Sequence, residues 1–137
     1  VYLDAAEENF IEEVGAANFF AIYKNKLITP MLTGSILPGI TRDSVLFLAK
    51  RKLGMEVEER RISIDEVLNA DEIFCAGTAA IISPIGLINY REKNYHFSGG
   101  KVGKVTKKLY DILTRIQFGK DKDEFGWITR LWAKKNS

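Results

Sequence analysis

The chain has 137 residues, 46% of them hydrophobic and 28% charged, with a net charge of +2, which describes one ordinary globular domain able to bury a core. So small a charge excess argues against a nucleic-acid partner, and no apolar run reaches the ~18 residues of a membrane helix or follows a leader pattern. A single cysteine, Cys75, excludes an internal disulfide and fits a reducing, cytoplasmic setting, while a single histidine, His96, cannot build a metal cluster alone, so no metal is expected.

The chain opens on Val1-Tyr2-Leu3 rather than on Met. This reads as a strand already in progress over Val1–Asp4, so residues upstream are expected. Phe10 to Gly15 pairs apolar with acidic residues, which fits an extended segment better than a helix. Asn18 to Tyr23 is β-rich, Lys24-Asn25-Lys26 is a turn, and Leu27-Ile28-Thr29 returns as the second arm of a hairpin before Pro30. Pro38-Gly39 marks a turn that leads into a helix over Arg42–Leu53. Val45, Leu48, Ala49 and Leu53 give that helix its apolar side, with Arg42, Asp43, Lys50, Arg51 and Lys52 expected on wet faces.

Met55–Ile62 reads as a charged strand with Val57 inward. Ser63-Ile64-Asp65-Glu66 has the spacing of a capping box, opening a short helix over Ile64–Ala70. Glu72–Ala76, the apolar run Ile81–Ile88 and Asn94–Phe97 follow as strands. Val105, Leu109, Ile112 and Ile116 step by four, three and four residues, the stripe of a long final helix that Gly119 ends. Trp127, Ile128, Leu131 and Trp132 dock part of a polar tail, and Lys134-Lys135 is a solvated basic end. Cys75 and His96 are assigned to packing. This order of elements points to an α+β or mixed α/β fold.

Three small-residue or acidic stretches are candidates for chemistry. Pro38-Gly39-Ile40-Thr41 enters a helix, where unpaired backbone N–H groups at the positive end of the dipole suit a phosphate. The plainer reading is a tight turn before a surface helix. Gly77-Thr78-Ala79-Ala80 offers a second set of amides and a hydroxyl with little steric cover. Glu12 and Glu13 are either solvated surface charges or the source of one carboxylate for a cation or a protonated ring nitrogen.

Taken together these stretches resemble a known family. Glu13-Val14-Gly15-Ala16-Ala17-Asn18-Phe19-Phe20, then Leu32-Thr33-Gly34-Ser35-Ile36-Leu37-Pro38-Gly39-Ile40-Thr41-Arg42-Asp43-Ser44, then Ala76-Gly77-Thr78-Ala79-Ala80-Ile81-Ile82-Ser83-Pro84 look like consecutive signatures of the branched-chain aminotransferases. Gly103–Tyr110, Ile116–Gly119 and Gly126-Trp127 continue the resemblance in the same order. It implies the C-terminal domain of the D-amino-acid aminotransferase-like, fold type IV enzymes over residues 1–137, with pyridoxal 5'-phosphate as cofactor.

By the same resemblance Glu13, five residues before Asn18, would pair with the pyridine nitrogen of the cofactor. Ile40 and Thr41 would form the phosphate cup, and Thr78 would add a further phosphate contact. Thr78 and Ala79 would meet the substrate carboxylate. The implied reaction exchanges an amino group between leucine, isoleucine or valine and 2-oxoglutarate, in a homodimer once complete. Sister activities of the same fold are D-amino-acid aminotransferase and aminodeoxychorismate lyase. A non-catalytic domain that binds a phosphorylated ligand is the alternative from another class. The Schiff-base lysine of the family lies upstream of the segment matching Val1–Asp4, so no catalytic residue is assigned in this chain. The chain alone is expected to lack transaminase activity.

Overall fold

The computed structural model describes residues 9–129. The strand expected at Val1–Asp4, the tail residues Leu131 and Trp132, and Lys134-Lys135 lie outside the described residues. Eight strands and three α-helices follow in the order β1 (Glu13–Val14), β2 (Ala17–Tyr23), β3 (Lys26–Thr29), α1 (Ile40–Arg51), β4 (Glu56–Glu59), α2 (Ile64–Val67), β5 (Glu72–Gly77), β6 (Ile81–Pro84), β7 (Leu87–Tyr90), β8 (Lys93–His96) and α3 (Lys104–Gln117). The result is a mixed α+β fold, as the order of sequence patterns implied.

One mixed sheet organises the domain, in the order β4-β3-β2-β5-β6. β1 pairs with the first residues of β2, on the edge that β3 occupies further along. Only β3 and β4 run parallel, joined by α1 as a crossover. Period-two alternation splits the core into two layers. Phe20, Ile22, Phe74 and Ala76 face α1 and α3, where Val45, Leu48, Leu109, Leu113 and Ile116 meet them. Phe19, Ala21, Ile28 and Ile73 face the other way, onto α2 and the β7–β8 hairpin through Ile64, Val67, Ile88 and Phe97. The Phe20 and Phe74 rings stack across β2 and β5 with centroids 4.8 Å apart.

Several element bounds differ from the sequence expectation, each for a local reason. α1 starts two residues early, at Ile40, because Gly39 is extended and already serves as its N-cap. α2 stops at Val67, and Ala70 closes a turn by donating to Val67 O at 3.0 Å. Ser63 does cap α2, its Oγ accepting from Glu66 N at 3.2 Å. The Glu66 carboxylate pairs with Arg60 instead. The apolar run Ile81–Ile88 breaks at Ile85-Gly86, so β6 joins the large sheet and β7 pairs with β8 alone. His96 is exposed rather than packed: Ile88 and Tyr95 face the core, and their neighbours Leu87 and His96 take the outer face. Cys75 is buried, and burial pushes its thiol pKa up, the environment of an inert hydrophobe.

α3 receives its N-terminal cap from a distant strand. Glu72 on β5 accepts from Val105 N at 3.1 Å and from Thr106 N at 2.9 Å, and Thr106 Oγ1 donates to it at 2.8 Å. A carboxylate there satisfies orphan amides and favours the helix dipole. The approach leaves no room for a side chain at Gly103, where a Cβ would fall 2.1 Å from the Glu72 carboxylate.

A charge network ties β3, β4 and α2 together. Glu58 accepts from Lys26 Nζ at 2.7 Å and from Arg60 Nε at 2.8 Å. The Lys26 hydrogen bond first, and Arg60 next, hold the Glu58 carboxyl down from 4.5 to about 2. A depressed carboxyl pKa stabilises the fold above the unfolded value and loses that contribution as pH falls through the folded one. The wild type should therefore melt above Glu58→Gln at neutral pH, with the gap in Tm closing between pH 4.5 and about 2. Thermal melts of both proteins across that range check it.

Candidate cofactor site

Three of the sequence candidates converge at one end of the large sheet. Glu13, Asn18 and Ala76 lie side by side across β1, β2 and β5. Just beyond Ala76, Gly77 packs against the β1–β2 turn, with Ala16 O and Ala17 Cβ within 3.6 Å of where its Cβ would stand. Thr78, Ala79 and Ala80 then form the exposed β5–β6 turn at this end. Asn18 shares the face of Phe20 and Ile22, the face that carries α1, and there it meets the loop that enters the helix.

That loop, residues 30–39, is held by side chains of the sheet. Ile36 anchors it, being 6% exposed. Glu12 Oε1 accepts from Ser35 Oγ at 3.0 Å, and Glu13 Oε1 accepts from Leu37 N at 2.9 Å. Leu37 O accepts from Asn18 Nδ2 at 2.9 Å and from Gly39 N at 2.9 Å, a tight turn around Pro38. Neither glutamate is therefore a free surface charge. Among the described residues no donor holds Glu13 Oε2.

Gly39 is required for a reason different from the one Pro-Gly suggests. Its φ is −69° and its ψ 139°, extended backbone that any residue adopts. What it lacks is space, since a Cβ would stand 2.5 Å from Asn18 Oδ1. The close approach brings the chain into α1 directly over the end of β2. The first α1 bond to form is Asp43 N to Gly39 O at 3.2 Å, so no described acceptor takes the amides of Ile40 and Thr41. Two free N–H groups, the Thr41 hydroxyl and the positive end of a 12-residue helix make an anion cradle. The Ile40 side chain is 87% exposed, so what this residue offers the cradle is its backbone N–H.

Arg42 overturns the expectation of a wet surface residue. It is 1% exposed, its NH2 donating to Pro30 O at 3.0 Å and to Glu59 Oε2 at 2.7 Å. Its Nε has no acceptor among the described residues. The spacing signalled this burial: Arg42 stands three residues before Val45 and seven before Ala49, on the stripe that faces the sheet. Its charge alone argued for the surface. Arg42 closes the base of the loop by joining the start of α1 to the ends of β3 and β4.

Residues 4–88 match the family described as amino-transferase class IV. The chain belongs to the class IV aminotransferases. The Staphylococcus epidermidis protein described as a probable branched-chain-amino-acid aminotransferase is 48% identical over 133 residues, which cover 93% of this chain and 37% of that protein. Branched-chain-amino-acid aminotransferase 2 of Bacillus subtilis is 46% identical over 143 residues, covering 100% of this chain and 39% of that protein. Among solved structures, the branched-chain amino acid aminotransferase of Escherichia coli superposes with a TM-score of 0.82 at 36% identity, over 93% of this chain and 40% of that one. The branched-chain amino acid aminotransferase of Thermobaculum terrenum in its PLP form gives 0.70 at 37% identity, over 84% of this chain and 36% of that one. This aminotransferase chain thus spans about two fifths of the length of the relatives it matches.

In this class IV aminotransferase chain the donor set fits a ring bearing a phosphate. A carboxylate with one uncommitted oxygen lies beside a helix entrance with uncommitted amides, and both are fastened to Leu37. No lysine among the described residues takes part in the contacts at Glu13, Asn18, Leu37 or Gly39. Among the described residues no group of three or more His, Cys, Asp or Glu is placed to hold a metal, and no helix is long and apolar enough to cross a membrane.

Proposed function

We propose that this chain is the C-terminal, cofactor-binding part of a pyridoxal-phosphate-dependent branched-chain aminotransferase. What carries the reading is the joint between Glu13 and the α1 entrance through Leu37, at the place where the motifs resemble the family's ring-nitrogen partner and phosphate cup. The names of relatives 46% to 48% identical support the branched-chain substrates. The Ile40 and Thr41 amides and the Thr41 hydroxyl take the phosphate oxygens, with Thr78 as a further donor. Glu13 keeps the proton on the ring nitrogen through a charge-assisted hydrogen bond. The bound cofactor supplies an electron sink that lets the substrate α-carbon release its proton. The Thr78-Ala79 turn presents amides to the substrate carboxylate, and the small side chains of Ala79 and Ala80 let it approach.

The lysine that anchors the cofactor, and later moves the proton, is assigned to the part of the relatives' length that this chain does not span. The complete protein acts as a cytoplasmic homodimer on small amino acids and 2-oxo acids, leucine, isoleucine and valine with 2-oxoglutarate. The full-length protein, loaded with pyridoxal 5'-phosphate, should convert leucine and 2-oxoglutarate to glutamate and leave D-alanine untouched. Turnover of D-alanine in preference to leucine would assign it to the D-amino-acid branch of the fold. Cofactor binding with no turnover of either would leave a phosphate-ligand-binding role.

A further inference from the structure

The residue that joins the two halves of the site is Asn18, which none of the roles above uses. Leu37 is gripped on both sides of its Cα. Its N–H donates to Glu13 Oε1 at 2.9 Å, and its C=O accepts from Asn18 Nδ2 at 2.9 Å. Glu13 and Asn18 are cross-strand partners, so one rung of the sheet holds one residue of the loop from two directions. The rung cannot slide, because Asn18 is also in register with Ala76 of β5 and is only 5% exposed. The other end of the same amide sets the helix. Asn18 Oδ1 stands 2.5 Å from where a Gly39 Cβ would be, so the backbone entering α1 rests against it. Ile40 and Thr41 follow at once.

We infer that Asn18 is a positioning residue that sets the span between the Glu13 carboxylate and the α1 amides, and so matches the site to the short reach of pyridoxal phosphate from ring nitrogen to phosphate. The inference rests on the functional reading above. A short ligand held at both ends gains from each contact only when the two subsites are correctly spaced. Arg42 fastens the start of α1 to β3 and β4 independently, through Pro30 and Glu59. Loss of the Asn18 clamp therefore shifts the spacing while leaving the helix entrance itself formed. Asp at this position keeps the shape but has no N–H to donate and sets a carboxylate against Leu37 O.

The test uses the full-length protein with Asn18→Ala and Asn18→Asp. Equilibrium dialysis measures the affinity for pyridoxal phosphate, and competition measures the affinity for inorganic phosphate, which needs the cup alone. The affinity for pyridoxal phosphate should fall about tenfold or more, and that for inorganic phosphate should stay within about twofold of wild type. Glu13→Ala combined with Asn18→Ala should cost clearly less than the sum of the two, because both act through Leu37. Gly39→Ala, which keeps Asn18 but pushes a Cβ against its amide, should give the same split and stands in if a buried amide proves necessary for folding. Unchanged affinity for pyridoxal phosphate overturns the inference, as does a parallel loss for both ligands or full additivity with Glu13→Ala. Failure of the wild type to bind pyridoxal phosphate at all would instead overturn the functional reading, and the inference with it.

Discussion

Glu13→Gln should lower kcat of the full-length enzyme with leucine by about a hundredfold while leaving its fold unchanged. On the proposed function the two outcomes separate, because the carboxylate's two oxygens then have different duties. Oε1 accepts from Leu37 N at 2.9 Å, and a glutamine carbonyl oxygen can accept that bond in the same place. The loop into α1 therefore stays tied, and thermal melts of the apo protein should agree closely between variant and wild type. The negative charge, however, is lost. A ring nitrogen facing a neutral amide would hold its proton less firmly, and the electron sink would weaken with it. A charge-assisted hydrogen bond contributes about 1.5–3 kcal/mol, so its loss accounts for roughly tenfold to a hundredfold before the change in protonation is counted. Glu13→Ala should behave differently, losing the tether as well as the charge and with them affinity for the whole cofactor. Turnover of Glu13→Gln equal to wild type would show that this carboxylate does not meet the ring, leaving Glu13 only its tether to Leu37.

The parts of this site that the sequence made legible were those written in local pattern. The helix entrance at Gly39 to Thr41 announced itself by small residues followed by helical periodicity, and α1 begins there. The hairpin of β2 and β3 was readable for the same reason, from β-rich residues on either side of the Lys24-Asn25-Lys26 turn. What stayed hidden was the contacts between stretches distant in the chain. Asn18 clamps a residue 19 positions away, and Glu72 caps a helix more than 30 positions on. Such contacts depend on which strand lies beside which, and no short window of residues encodes that. Gly39 and Gly103 show the same limit, since both are glycine because another element's side chain occupies the space a Cβ would need. Asn18 itself left a trace, its alternation with Phe20 and Ile22 placing a polar group on the helix-facing side of β2.

Arg42 gives the largest expected effect on stability, and its variants distinguish packing from charge. Arg42→Ala should destabilise the protein by about 3–4 kcal/mol, since it removes a buried stem and leaves the Pro30 carbonyl without its donor. Glu59→Ala leaves the buried guanidinium with Pro30 O as its hydrogen-bond acceptor and with the Asp43 carboxylate 3.8 Å from NH1. The Glu59 side chain is 49% exposed, so water already screens half of that pair and the expected cost falls to about 2 kcal/mol. Arg42→Met keeps most of the volume, removes a buried charge and also removes an Nε that finds no acceptor among the described residues. Its cost should be the smallest of the three, about 1 kcal/mol, because replacing a whole buried ion by an apolar group avoids the desolvation penalty. Urea denaturation with an unchanged m-value reads the order directly. If Arg42→Met is nearly neutral in stability yet weakens phosphate binding, then the guanidinium is retained to fix where the chain turns into α1 rather than to hold the domain together. If Met costs as much as Ala, the hydrogen bonds to Pro30 and Glu59 are themselves the stabilising contribution, and the cup is rigid because the fold beneath it is.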